Sequence, residues 1–121
     1  YSTIFKKWGY DPFPQYREIP ESPVSRPDLA EKFPYILITG ARIPCFFHSD
    51  PRMIPVLREL RPDPLVEIHP ETAKKCGIRN GEWIFIESPK GRVKQRAKLS
   101  TGINPRVVAA EHGWWYPETK D

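Results

Sequence analysis

Apolar positions along this chain come in short bursts, and the spacing inside each burst separates strands from helices. The run "YILITG", residues 35–40, is apolar and closed by glycine, which predicts a short strand. "ARIPCFFHSDP" follows as a loop broken by Pro44 and Pro51. In "RMIPVLREL" the spacing puts Met53, Ile54, Leu57 and Leu60 on one helical face, and Pro55 confines the regular helix to the downstream part. "PLVEIHP" predicts a second strand. In "PETAKKCGIRNG", Pro70 pre-sets a first helical turn, Glu71 favours its positive end and Gly77 stops it. A tight turn is then expected at residues 79–81, with Asn80 as the residue that tolerates positive φ. "EWIFIES" alternates Trp83 and Phe85 against Ile84 and Ile86, which predicts a strand with both faces buried. "SPKGR" turns the chain as a hairpin rather than a phosphate loop, because no lysine-hydroxyl pair and no helix follow it. "RVKQRAKLS" returns with Val93, Gln95, Ala97 and Leu99 on one face, and "RVVAA" is the last strand. The pattern predicts a mostly β domain of five or six short strands with one or two short helices. A closed or nearly closed barrel would spare such strands an exposed edge.

The first 34 residues read differently. A proline every few residues removes backbone donors and restricts each preceding residue, so an extended, irregular segment is expected. Its aromatics, Phe5, Trp8, Tyr10, Phe13 and Tyr16, are too many for a solvated linker, and the segment is expected to lie along a surface. The chain begins with Tyr1 rather than methionine, which suggests a piece of something longer.

Composition changes this picture little. The 121 residues carry 19 Lys and Arg against 15 Asp and Glu, a formal charge of +4. The cations are interleaved with acids, so the excess suits an anionic small molecule or an anionic neighbouring surface without implying nucleic acid. Arg92, Lys94, Arg96 and Lys98 share one strand face, which is either solvent or a charged domain interface, and it shows none of the stacking aromatics of an RNA-binding sheet. Cys45 and Cys76 have no metal-ligand spacing and read as packing residues. His48, His69 and His112 match no zinc motif. No apolar run is long enough to span a membrane.

Chemistry concentrates in three places. At the end of the first strand, Gly40 lets backbone N–H groups approach a pyrophosphate, Thr39 can donate a hydroxyl and Arg42 a two-pronged bond; the alternative is an ordinary strand-end glycine beside a surface arginine. His48 and Ser49 follow two phenylalanines, which can pin their loop while the polar pair meets a ligand, or His48 is simply structural. The run "EHGWWYPE" sets His112, Gly113, Trp114 and Trp115 in succession. Adjacent side chains alternate in direction, so one indole is expected to pack on the barrel and the other to face a ligand or a neighbouring domain. Two core tryptophans with a capping histidine remain the other reading.

Three stretches, "ILITGARIPCFFHSDPR", "EIHPETAKKCGIRNGEWIFIESPKGRV" and "NPRVVAAEHGWWYP", together resemble the C-terminal dinucleotide-binding domain of the molybdopterin oxidoreductases, the family of dimethyl sulfoxide reductase and formate dehydrogenase. The opening segment is similar to the connector before that domain in the polysulfide-, thiosulfate- and arsenic-processing branch and in acetylene hydratase-like members. The resemblance implies a double-psi β-barrel at residues 35–118, between a connector at 1–34 and a tail at 119–121. It implies a domain that binds a molybdenum or tungsten bis-(molybdopterin guanine dinucleotide) cofactor inside a larger oxidoreductase. Thr39, Gly40 and Arg42 fall on its phosphate or pterin portion, His48 and Ser49 where the family presents polar contacts, and His112, Gly113, Trp114 and Trp115 in the last cofactor loop. Many relatives carry two adjacent basic residues where this chain has Ala41 before Arg42, so the implied phosphate clamp rests on Arg42 alone. Catalytic metal ligands and a 4Fe-4S cluster are expected only in other domains of a parent chain, which would be the partners here, with no nucleic acid and no direct membrane contact. The parent is expected to be bacterial or archaeal, cytoplasmic or periplasmic. A free-standing barrel subunit like that of formylmethanofuran dehydrogenase, and a protein- or nucleic-acid-interaction module, are the rival readings. The substrate is not legible.

Overall fold

The computed structural model describes residues 2–11, 13–40 and 43–114. Its residues divide into two units, one running to Lys32 and one from Phe33 onward. The first unit is not wholly irregular, as proline density had predicted. It contains α1 (Thr3–Lys7), where the Ser2 hydroxyl accepts from Phe5 N–H at 3.3 Å, and α2 (Pro27–Lys32), which starts on proline and carries Asp28 in its first turn. In both, a capping signal outweighs the surrounding prolines because it sits ahead of a short proline-free stretch. Phe5 packs edge-on against Tyr10 and tilted against Trp8, yet all five predicted aromatics of this unit are more than half exposed.

The second unit is built on one five-stranded sheet: β1 (Ile36–Ile38), β2 (Leu65–Ile68), β3 (Trp83–Ser88), β4 (Gly91–Leu99) and β5 (Val107–Ala110), in the order β1-β5-β2-β4-β3. Parallel ladders join β1 to β5 and β2 to β4; antiparallel ladders join β2 to β5 and β3 to β4. Among the described residues no ladder joins β1 to β3, so both are edges and the sheet is open. The connections carry α3 (Pro55–Leu60) and α4 (Pro70–Cys76).

One face of the sheet makes the core. Val66, Ile68, Ala97 and Ala110 are buried on it, and α4 lays Ala73 against them, with Ile78, Ile84, Ile86, Leu99 and Val108 packed around. Each large aliphatic residue fully buried there is worth about 1.5–3 kcal/mol. The α4 segment forms for the reasons read from its sequence, with Pro70 in its first turn and Gly77 in the left-handed region at its end. A signal not used was His69, whose Nδ1 accepts from Glu71 N–H at 3.2 Å and caps the helix.

Several expectations are corrected. The positive φ of the 79–81 turn belongs to Gly81, not Asn80, whose side-chain oxygen instead accepts from Leu99 N–H at 2.9 Å. In β3 only the Ile84 and Ile86 face is partly buried; Trp83 and Phe85 are exposed on the other face of this edge strand, which none of the described elements covers. Those two rings therefore share a face with Arg92, Lys94 and Arg96 across the ladder, so the basic face does carry aromatics. Pro55 does confine α3, but the helix buries no residue, and Met53 and Leu60 are exposed. Cys45 is half-buried; Cys76 is exposed at the end of α4, with its sulfur 3.5 Å from the Tyr35 hydroxyl, so it is not a packing residue. Among the described residues no helix is long and apolar enough to cross a membrane.

Candidate functional site

Because β1 and β5 run parallel as neighbours, the chain leaves both at the same end of the sheet. The loop after β1 and the loop after β5 are thereby set side by side, at the carboxyl ends of adjacent parallel strands, where open sheets leave a crevice. An open cleft of about 440 Å³ lies there, lined by Gly40, Ile43, Pro44, Phe46, Phe47, His48 and His112.

Two contacts lock the loops together. His112 Nε2 and His48 Nδ1 lie 2.9 Å apart, with ring centroids at 4.9 Å. One of these nitrogens donates and the other accepts. His48 takes a φ of 54°, unusual for a non-glycine residue, and its ring stands edge-on to Phe47 at 4.5 Å. Gly113 has a φ of 74°, and a Cβ there would meet the carbonyl carbon of His48 at 2.9 Å. The backbone of one loop thus occupies the space that any larger residue at 113 would need. His112 Nδ1 is buried with no hydrogen-bond partner among the described residues.

Behind the cleft Trp114 packs inward. Its ring meets Phe46 edge-on at 5.9 Å, and the buried Arg52 guanidinium lies 4.6 Å from its centroid. Glu111 holds the root of the loop. Its carboxylate accepts from Leu65 N–H at 3.0 Å and pairs with Arg61 at 3.0 Å, while Gln95 Nε2 donates to its carbonyl at 2.7 Å. Burial pushes the Glu111 carboxyl above its ordinary range, against the opposing pull of the Leu65 N–H, the Arg61 charge and the Trp114 indole.

The predicted residues thus divide. Gly40, His48 and His112 line one cleft, and Gly113 permits its geometry. Thr39 is exposed beside Gly40 without lining the cleft; Ser49 is half-buried, and its carbonyl accepts from Arg52 N–H at 3.1 Å. Trp114 is the indole that packs. Arg42 and Trp115 lie outside the described residues. Sequence reasoning missed Arg52, Arg61, Gln95 and Glu111. An acid directly after the apolar run "RVVAA" was the available signal for Glu111; Arg52 gave none, since its ring partner is distant in sequence.

Comparison with known proteins agrees with this architecture. The family described as Molydopterin dinucleotide binding domain matches residues 35–121. Dopamine dehydroxylase of Eggerthella lenta is 44% identical over 108 residues, 89% of this chain and 10% of its own length. Acetylene hydratase of Syntrophotalea acetylenica is 39% identical over 118 residues, 98% of this chain and 16% of its own. The solved structure of acetylene hydratase from Pelobacter acetylenicus superposes with a TM-score of 0.85 at 38% identity, covering 99% of this chain and 16% of that one. The chain therefore spans only 10–16% of the length of these relatives. It belongs to the molybdopterin dinucleotide-binding domain family, and resembles the dimethyl sulfoxide reductase and acetylene hydratase branch of the molybdopterin oxidoreductases.

Proposed function

We propose that this domain binds the dinucleotide or pterin portion of a molybdenum or tungsten bis-(molybdopterin guanine dinucleotide) cofactor, as one domain of a larger oxidoreductase. The observation that carries the reading is the His48–His112 pair at the mouth of the cleft, beside Gly40. The donor set fits such a group. Among the described residues no carboxylate lines the cleft, and Glu111 at the root of the loop is paired with Arg61. An alanine Cβ at Gly40 would meet nothing within 4 Å, which leaves its backbone open to a ligand. His48 and His112 both line the cleft, and each ring nitrogen donates or accepts according to its tautomer. Phe46 and Phe47 supply apolar wall for a flat ring. Thr39, Arg42, Ser49 and Trp115 complete the proposed set. When bound, the metal and its dithiolene ligands supply the redox chemistry; the chain's own residues hold, orient and shield the organic part.

On this reading the open sheet is part of a double-psi barrel at residues 35–118, and residues 1–34 are a connector that lies against other domains of the parent chain. Metal ligands and a 4Fe-4S cluster belong to those domains, so the isolated chain is inactive. The test is an NMR titration of the labelled chain with GDP and with the pterin dinucleotide. Shifts concentrated at Gly40, His48, His112 and Gly113 are expected. A response confined to surface lysines, or none at the cleft, would overturn a preformed site in this chain.

A further inference from the structure

A second surface lies away from the cleft, on the outer face of the β3–β4 ribbon. In the antiparallel ladder Trp83 faces Arg96, Phe85 faces Lys94 and Glu87 faces Arg92, so the rings of one strand and the cations of the other share one side. Trp83 is 44% and Phe85 55% exposed, two residues apart on one side of the strand, so their rings form adjoining apolar surface. The Arg92 guanidinium lies 4.8 Å from the Phe85 centroid, and Lys94 Nζ lies 5.4 Å from that of Trp83. Toward β2 the cations are committed internally: Arg96 pairs with Asp63 at 2.8 Å and Lys98 with Glu67 at 2.6 Å. Among the described residues no carboxylate lies within ion-pair distance of Arg92 or Lys94.

We infer that this face docks an acidic protein segment in extended conformation, with carboxylates on alternate residues. Charge complementarity argues for it. Arg92 and Lys94 are held over rings, which pre-orders two long side chains and leaves their N–H donors available for carboxylates. They are two residues apart on one strand, roughly 6.5–7 Å, and alternate residues of an extended partner have the same spacing. The half-exposed rings give the methylene stems of the partner's acidic side chains something to bury, since the residues between them point away. A single-stranded nucleic acid fits less well. A base could stack only by displacing the cation already over each ring, whereas a carboxylate reaches the same cations without moving them. The inference does not depend on the cofactor reading, because none of these residues lines the cleft.

The test uses the 121-residue chain, isotopically labelled, with three probes: a blocked peptide Gly-Glu-Val-Glu-Val-Gly, its glutamine counterpart, and a single-stranded oligothymidylate. The acidic peptide is expected to shift the amides of Trp83, Phe85, Arg92 and Lys94 and the Trp83 indole, leaving Gly40 and His112 unmoved. The glutamine peptide is expected to bind much more weakly. The double variant Arg92→Gln with Lys94→Gln, both exposed and outside the core, should keep the native spectrum and weaken the acidic peptide roughly five- to tenfold. Equal binding of the glutamine peptide, shifts mapping elsewhere, no binding at millimolar peptide, or tighter binding of the oligothymidylate would each overturn the inference.

Discussion

At the scale of single residues, the site rests on a steric bargain between His48 and Gly113. Each sits at positive φ, and the backbone of the first fills the space beside the second. Substituting Gly113→Ala forces a Cβ to within 2.9 Å of a backbone atom, which a rotamer change cannot relieve. The variant is expected to lose about 1–3 kcal/mol of stability and to shift the His48 ring resonances, read by urea unfolding and NMR. Gly40→Ala is the control: its Cβ meets nothing within 4 Å, so stability should hold within about 0.5 kcal/mol. The sequence showed that Gly113 permits a bend between a histidine and two indoles. It did not show what the bend avoids, since the obstructing backbone belongs to a distant loop. The same holds for Arg52, whose guanidinium lies 4.6 Å from the centroid of the Trp114 ring on that other loop.

At the scale of elements, the end of β5 is tied to the start of β2 through Glu111, whose N–H donates to Leu65 O at 3.1 Å while its carboxylate accepts from Leu65 N–H. Burial dominates the competing attractions there and raises the carboxyl pKa above the ordinary 4.5. A raised carboxyl pKa means that the folded state holds the proton more tightly than the unfolded chain. Its stabilising contribution is therefore fully present below the ordinary value, and it is lost as the pH rises through the raised one. Urea midpoints measured across this window should show the decline in the native chain and a flatter profile in Glu111→Gln. Identical slopes would show that another group titrates there. Elements with local signals were legible: α4 from Pro70 and Gly77, and the β3–β4 hairpin from "SPKGR". What failed was neighbourhood. The alternation in β3 correctly separated its two faces, but whether both were covered depended on its place at the sheet edge, which alternation does not encode.

At the scale of the whole molecule, the two units differ in what holds them. Among the described residues the unit to Lys32 contributes no buried hydrophobic residue, whereas the unit from Phe33 contains the hydrophobic cluster. Removing residues 1–32 is therefore expected to leave the cooperative thermal transition of the remainder in place, with a midpoint shift of no more than a few degrees. Loss of that transition would mean that the first unit is integral to the core. The family resemblance was legible because its motifs join a helix stop, a turn and a hairpin at fixed offsets. The mixed order of the strands was not, because no local pattern specifies which strand lies beside which.

That order sets a schedule for assembly. Among the described residues β5 follows the other four strands, yet it is inserted between β1 and β2. Until it is synthesised, β1 has no strand partner among the described residues, where its one ladder is with β5. The loop after β1 likewise lacks its histidine counterpart until His112 emerges. The pairing that completes the sheet is also the most non-local, and such contacts are formed late and slowly. A growing or truncated chain that lacks β5 would keep the β3–β4 hairpin and α4 but could not present the cleft. β5 thus decides when the cleft exists: a chain cut before Val107 has neither the strand that pairs with β1 nor the His112 that meets His48.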